Sequence, residues 1–283
     1  LDDVEETSWT YVDDAITIAG PCTVTAYVVK DGVSSDVVKG KYFGPASTKQ
    51  SIVLGADPVA LAIAPAIEEG DGIMIYGIES SYISFNEETQ KATATTMGSG
   101  SFPVPLKYVA EEYEEGNTFI LNYSNFEIEV EVVAALDIEF VDDNSWASYY
   151  ATENLTVPTG LTAYVVSDVD EESGAVTVTS IGYIPKNNAV LLEREQNGAA
   201  SGYTAGAYTG TTTTVNNLLS GSPNTTDISS LGSGPVYVLF NDKFKRAISG
   251  TIPARRAYLV PGAAVAPTSA PQYLTISITD GNA

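Results

Sequence analysis

Acidic side chains are the only potentially catalytic groups that this sequence holds in number. Its 283 residues include 36 Asp and Glu, no histidine and one cysteine, Cys22. Paired carboxylates can hydrolyse a glycoside when two acids flank the scissile bond. Among 36 acids pairs are inevitable, and no spacing sets one pair apart. The missing histidine removes the commonest general base at neutral pH, the usual zinc ligand and every Ser-His or Cys-His nucleophile. A lone cysteine builds neither an intrachain disulfide nor a thiolate cluster, and Cys22 reads as a small apolar strand residue. Asp142-Asp143-Asn144 and the group Asp168, Asp170, Glu171, Glu172 offer oxygen ligands to a hard cation. They lack the Gly and closing Glu of an EF-hand, so solvated hairpin tips are the expectation. The chain is thus expected to be non-enzymatic, with no catalytic residue, cofactor or metal.

Binding residues are sought among aromatics and bases. Trp9 and Trp146 have the faces that stack on sugars, but they occupy one repeat position, which favours a shared core role. Tyr203 and Tyr208, in the Gly-rich stretch Gly198–Gly210, are better candidates for exposed platforms than the tryptophans, with ordinary hairpin tyrosines as the favoured alternative. Five of the 13 basic residues, Lys243, Lys245, Arg246, Arg255 and Arg256, fall close together in an otherwise acidic chain. They are either a site for an acidic partner or glycan, or a countercharge to neighbouring carboxylates. The candidate ligand-binding set is therefore Tyr203, Tyr208, Lys243, Lys245 and Arg246.

Strands must position these groups. Tyr occurs 17 times, and Thr, Val, Ser and Gly recur throughout, a mixture that favours strands and turns. Phe126, Ile128, Val130 and Val132 alternate with Glu127, Glu129 and Glu131, which predicts a half-buried strand. Tyr273, Thr275 and Ser277 likewise alternate with Leu274, Ile276 and Ile278. Val104–Glu115 is the one segment that reads as a possible short helix. A net charge of −23 repels nucleic acid and anionic membranes. No apolar run reaches the roughly 18 residues of a membrane helix. The chain opens at Leu1 without a leader, so an export signal would have been removed or lie outside this sequence.

An internal duplication organises the chain. One constant, ungapped offset carries Val4, Ser8-Trp9, Pro21, Thr25-Ala-Tyr-Val-Val29 and Asp31 onto Val141, Ser145-Trp146, Pro158, Thr162-Ala-Tyr-Val-Val166 and Asp168. Further on, Ile67 with Gly72-Ile-Met-Ile75 resembles Ile184 with Ala189-Val-Leu-Leu192, and Phe119-Ile-Leu121 with Phe126 resembles Tyr237-Val-Leu239 with Phe244. The predicted fold is all-β: two tandem sandwich modules of immunoglobulin or fibronectin type, residues 1–136 and 137–283, meeting near Ala134–Asp137 without a flexible linker. Gly198–Gly221 and Gly262–Pro271 read as long loops or meanders. A smaller echo lies inside the second module, where Ile184-Pro-Lys-Asn-Asn-Ala-Val-Leu191 matches Ile252-Pro-Ala-Arg-Arg-Ala-Tyr-Leu259. Its prolines are expected at a strand start or edge.

Tyr183–Leu192, Tyr237–Phe244 and Gly250–Leu259 resemble modules of Bacteroidetes surface proteins, and Thr23–Tyr42 is similar to the closing strands of chitobiase-type C-terminal sandwich modules. The resemblance implies an exported or surface-anchored β-sandwich with adhesion or glycan contact as its setting, and it transfers no catalytic residue. The expected function is a non-catalytic surface module for cell adhesion or for binding a host or cell-surface protein or glycan. The alternatives are a structural subunit of a fimbria or surface layer, and a glycoside hydrolase or its accessory carbohydrate-binding module.

Overall fold

The computed structural model describes residues 20–68, 71–108, 126–141, 143–232, 234–261 and 270–279. No α-helix occurs among them, and the protein is all-β. The helix expected over Val104–Glu115 gives way to strands at its start, because Val104 ends one strand and Leu106–Tyr108 forms the next. The rest of that segment lies outside the described residues.

In the first half the strands used here are β1 (Cys22–Ala26), β2 (Val38–Tyr42), β3 (Gln50–Val53), β4 (Ile73–Ile75), β5 (Gly98–Val104), β6 (Leu106–Tyr108) and β7 (Phe126–Ala135). β7 is central, antiparallel to β5 and parallel to β3. Its period of two does what the sequence predicts. Ile128, Val130 and Val132 point into a core with Ile52, Phe102 and Val104, while the glutamates between them face outward. Lys49 answers these acids, 2.9 Å from Glu131, and the hydrogen bond raises its pKa.

The second half holds β8 (Trp146–Tyr150), β9 (Leu161–Asp170), β10 (Ala175–Ile181), β11 (Ala189–Arg194), β12 (Thr204–Ala205), β13 (Leu219–Ser222), β14 (Val236–Phe240), β15 (Lys243–Ala247), β16 (Arg256–Leu259) and β17 (Tyr273–Ile278). All but β12 join one nine-stranded sheet in the order β8-β11-β9-β10-β17-β15-β14-β16-β13. That order reveals a repeat. β8 pairs β11, β11 pairs β9, and β9 makes a hairpin with β10. Likewise β13 pairs β16, β16 pairs β14, and β14 makes a hairpin with β15. Two four-stranded units thus flank β17.

The Ile-Pro echo is the signature of this repeat. Ile184 and Ile252 each end a two-residue strand, paired with Leu155–Thr156 and with Thr226–Asp227. Each proline stands just past that strand and opens the turn rather than starting the next strand as expected, and its missing N–H still breaks no ladder. The turn then needs a left-handed residue, supplied by Asn187 (φ 55°) and Arg255 (φ 58°). Their amides donate to Ala151 O and Ser222 O, at the end of the neighbouring β8 or β13. Ala189 and Ala257, Leu191 and Leu259, and Tyr164 and Tyr237 then occupy matching buried places.

The sheet curls until β8 meets β16 and β13. Tyr150 N donates to Arg255 O at 3.0 Å, and Ser148 Oγ accepts from Ala257 N. Inside the curl lies a core containing Tyr164, Val178, Leu191, Tyr237, Phe244 and Leu274. Burial and the nearby Glu171 carboxylate push the Tyr237 hydroxyl up to about 12. A second core covers the outer face of β8, β11 and β9. Burial on both faces is why Ala189–Leu192 and Ala163–Val166 are unbroken apolar runs.

That outer core also crosses the joint expected near Ala134–Asp137. Ala134 and Ala135 pair with Ala205 and Thr204 of β12, and Leu136, Ile138 and Phe140 are buried in the second half's outer core. Gly198–Gly221 is accordingly not a free loop, since Phe140 N donates to Ala200 O and Leu136 N to Tyr203 O.

At the closure, Tyr150 and Gly221 are equivalent residues of the two units, each paired with the repeat's alanine. The Tyr150 ring occupies the space a Cβ on Gly221 would need. Gly221→Ala should therefore destabilise the fold by about 1–3 kcal/mol, measured by denaturant unfolding. Adding Tyr150→Ala should recover part of that loss, whereas full additivity of the two changes would show that the residues do not meet.

Candidate functional site

A groove of about 490 Å³ opens where the two units meet, between the start of β8 and the β14–β15 hairpin. Trp146 and Phe240 supply its aromatic walls, Asn144 and Asn241 its amides, and Arg256 and Glu139 its charges. Trp146 is half-buried and packs on Tyr164 with ring centroids 5.1 Å apart. The expectation of a core tryptophan therefore holds for one side of the ring, while the residue also lines the groove. Its repeat partner Trp9 lies outside the described residues.

The hairpin tip fixes this arrangement. Asn241 (φ 47°) and Asp242 (φ 58°) are consecutive left-handed residues, the backbone of a two-residue type I′ turn. The turn aims the Asp242 carboxylate at the other unit, where it accepts from the Ser145 and Trp146 amides at 3.0 Å. The carboxylate thereby anchors two N–H groups at the start of β8 with charge-assisted bonds. Arg256 leans toward Asp137, 3.6 Å away.

The five bases do not form one patch. Strand alternation sends Lys243 and Lys245 to the outer face of β15 and Arg246 to the face of Phe244. There Arg246 Nη1 donates to Ala270 O at 2.7 Å. Grouping Arg246 with the two lysines is thus corrected by the period of two. Lys245 lies over the Phe240 ring at 4.7 Å, a cation–π contact that ties the lysine face to the groove. Cross-strand register sets Lys243 beside Phe240 and Thr275, and Lys245 beside Tyr273. Phe240 and Tyr273 are 49% and 45% exposed, so this outer face carries two open aromatics and two lysines. Arg255 has a structural task, donating to Tyr149 Oη and Thr152 Oγ1 across the sheet closure.

The two tyrosines weighed as candidate platforms are both packed against other residues. Tyr203 is 7% exposed, packs edge-on against Phe140 and donates to Ala199 O at 2.7 Å. Burial raises its hydroxyl pKa. It is a core residue because its segment is stitched to Leu136–Phe140, a long-range pairing that a Gly-rich composition hides. Tyr208 is half-buried and stacks on Tyr183 at 4.5 Å with an 11° tilt, so one face is taken. Asp170 accepts from the Glu172 and Ser173 amides and from Ser173 Oγ, closing its own turn. The Ser173 bonds lower its pKa. Among the described residues no three metal-ligating side chains cluster, and no helix is long and apolar enough to cross a membrane.

The groove was missed in the sequence because its parts come from Asn144–Trp146, Phe240–Asn241 and Arg256, which only the curl brings together. One signal was present. Asn241-Asp242 between Val236–Phe240 and Lys243–Ala247 has the residue types of a tight hairpin turn. No protein family matches the chain, and neither a characterised protein nor a solved structure is similar to it.

Because Asp242 holds the Trp146 amide, Asp242→Ala should loosen the groove wall. In a Trp9→Phe background, the remaining tryptophan emission should shift to the red and quench more readily. Stability should fall by about 1–3 kcal/mol. Unchanged emission and quenching would mean that the hairpin tip does not position Trp146.

Proposed function

We propose that this chain is a non-catalytic binding module of the cell exterior, and that the groove between Trp146 and Phe240 takes a glycan. The observation that carries this reading is the groove's chemistry. Aromatic faces stack on the apolar faces of sugar rings, while amides and a guanidinium meet hydroxyls, with fixed geometry on rigid strands. The resemblance to Bacteroidetes surface modules supports an extracellular or surface-anchored setting and a role in adhesion. The −23 charge is compatible with such a setting.

The tandem organisation belongs to the same proposal. Residues 1–136 and 137–283 are read as two copies of one sandwich-type module. The offset carries Ala26, at the end of β1, onto Ala163 of β9, and β1–β2 and β9–β10 are both antiparallel pairs, in different registers.

A second reading, a structural subunit that assembles with others, is favoured by one contrast. Tyr27 and Val28 are 60% and 68% exposed, while their repeat counterparts Tyr164 and Val165 are buried. Val29 and Val33 extend this exposed apolar hairpin. An apolar surface that one copy buries and the other leaves open is a place for subunit contact.

A glycan array probed with the intact chain should give hits that Phe240→Ala and Trp146→Ala each weaken at least tenfold, about 1.4 kcal/mol. Tyr208→Ala should leave them unchanged. Phe240 is half exposed, so its truncation tests binding with little effect on folding. Absence of any glycan hit would overturn the binding reading. Concentration-dependent sedimentation lost on Val28→Asp would then favour the assembly reading.

A further inference from the structure

Lys41 and Asp71 are buried together in the first half, with side chains 10% and 6% exposed. Lys41 sits near the end of β2, two residues before buried Phe43 and on the same side of the extended chain. The strand therefore turns an ammonium inward, where an apolar residue is the usual occupant. Its Nζ lies 2.8 Å from Asp71 Oδ1 and 2.6 Å from Oδ2. The Glu68 amide donates to Asp71 Oδ2 at 2.9 Å and holds the carboxyl in place. Glu68 Oε2 stands 3.5 Å from the same Nζ, as does Ala66 O. Beside the pair runs a largely apolar cleft of about 380 Å³ that includes Ala66, Ile67, Gly72 and Ile73.

We propose that Lys41 and Asp71 are the site of an intramolecular amide cross-link between β2 and the segment entering β4. Short contacts to both oxygens of one carboxyl put Nζ within the roughly 3–3.5 Å of Cγ from which bonds form. Proton transfer along the short Nζ–Oδ contact gives a neutral amine and a carboxylic acid. The amine lone pair attacks Asp71 Cγ, the C–N bond forms and the C–OH bond breaks. Glu68 takes the proton released from nitrogen and delivers it to the departing hydroxyl, which leaves as water. The balance is one amine plus one acid giving one amide plus one water, with no oxidant, reductant or activating group. The product has no charge to bury and closes a loop across a separation of 30 residues. This inference is independent of the binding reading.

Intact-mass measurement of the unfolded chain tests it. The protein should weigh one water less than its sequence, and digestion should give a branched peptide joining Lys41 to Asp71. Lys41→Met and Asp71→Ala should restore the full sequence mass, and Glu68→Gln should leave much of the chain uncrosslinked. Asp71 is followed by Gly72, and an Asp-Gly pair can also lose water by closing a succinimide on its own backbone. Water loss that survives Lys41→Met, or that maps to a linear peptide, overturns the proposal. A wild-type mass equal to the full sequence overturns it as well, and leaves the pair a buried ion pair.

Discussion

A nine-stranded sheet that curls onto itself has to fit two sets of side chains where its ends meet, and here the fit is one ring over one missing Cβ. Tyr150 and Gly221 occupy the same position of the two four-stranded units. Had both been large, the ends would clash; had both been small, the closure would leave a void that packing does not tolerate cheaply. Their difference lets two otherwise similar units interlock. The Ile-Pro turns reinforce the closure, because Arg255 sends its carbonyl to Tyr150 N and its guanidinium to Tyr149. Burial raises the Tyr149 hydroxyl pKa, the Arg255 charge opposing it, so the bond is made by a neutral tyrosine.

Everything at the groove follows from that curl. Strands β8 and β14 lie at different places in the sheet order, and no local pairing joins Trp146 to Phe240. Closure brings the Asn241-Asp242 tip against Ser145 and Trp146, and the carboxylate completes the contact. The groove thus joins the strand residues Trp146, Phe240 and Arg256 to Ile138, Glu139, Val141 and Asn144 of the segment that leads into β8.

What the sequence disclosed was local. The alternation in β7 and the Ile-Pro echo each concern residues that are neighbours along a strand or in a turn, and the alternation led to the observed strand. Tyr203 and the grouping of Arg246 with Lys243 and Lys245 were misread for a related reason. Composition and proximity in the chain do not say which face of a strand a residue takes, nor which distant segment will cover it. The echo itself was legible as a pattern, but its meaning was not. That it marks the start of β11 and β16 in two equivalent units needed the pairings of strands far apart in sequence.

The repeat also shows what stands at the position equivalent to the groove. Counting through equivalent pairings, Trp146 corresponds to Asn217, Phe240 to Ser167 and Arg256 to Asn188. At that second location the Asn217 amide donates to Ala189 O at 2.6 Å, and its oxygen accepts from Val166 N and Leu219 N. The position is filled by a side chain bridging three backbone groups, and a small serine replaces the exposed aromatic. Residues shared by the two units, the alanines, leucines and tyrosines of the inner core, build the scaffold. Those that differ decide which junction is sealed. One unit spends its variable position on stitching strands together. The other sets a half-buried tryptophan at the same place and leaves its hydrogen bonding to Asp242 from across the sheet, so a concave surface stays open beside it.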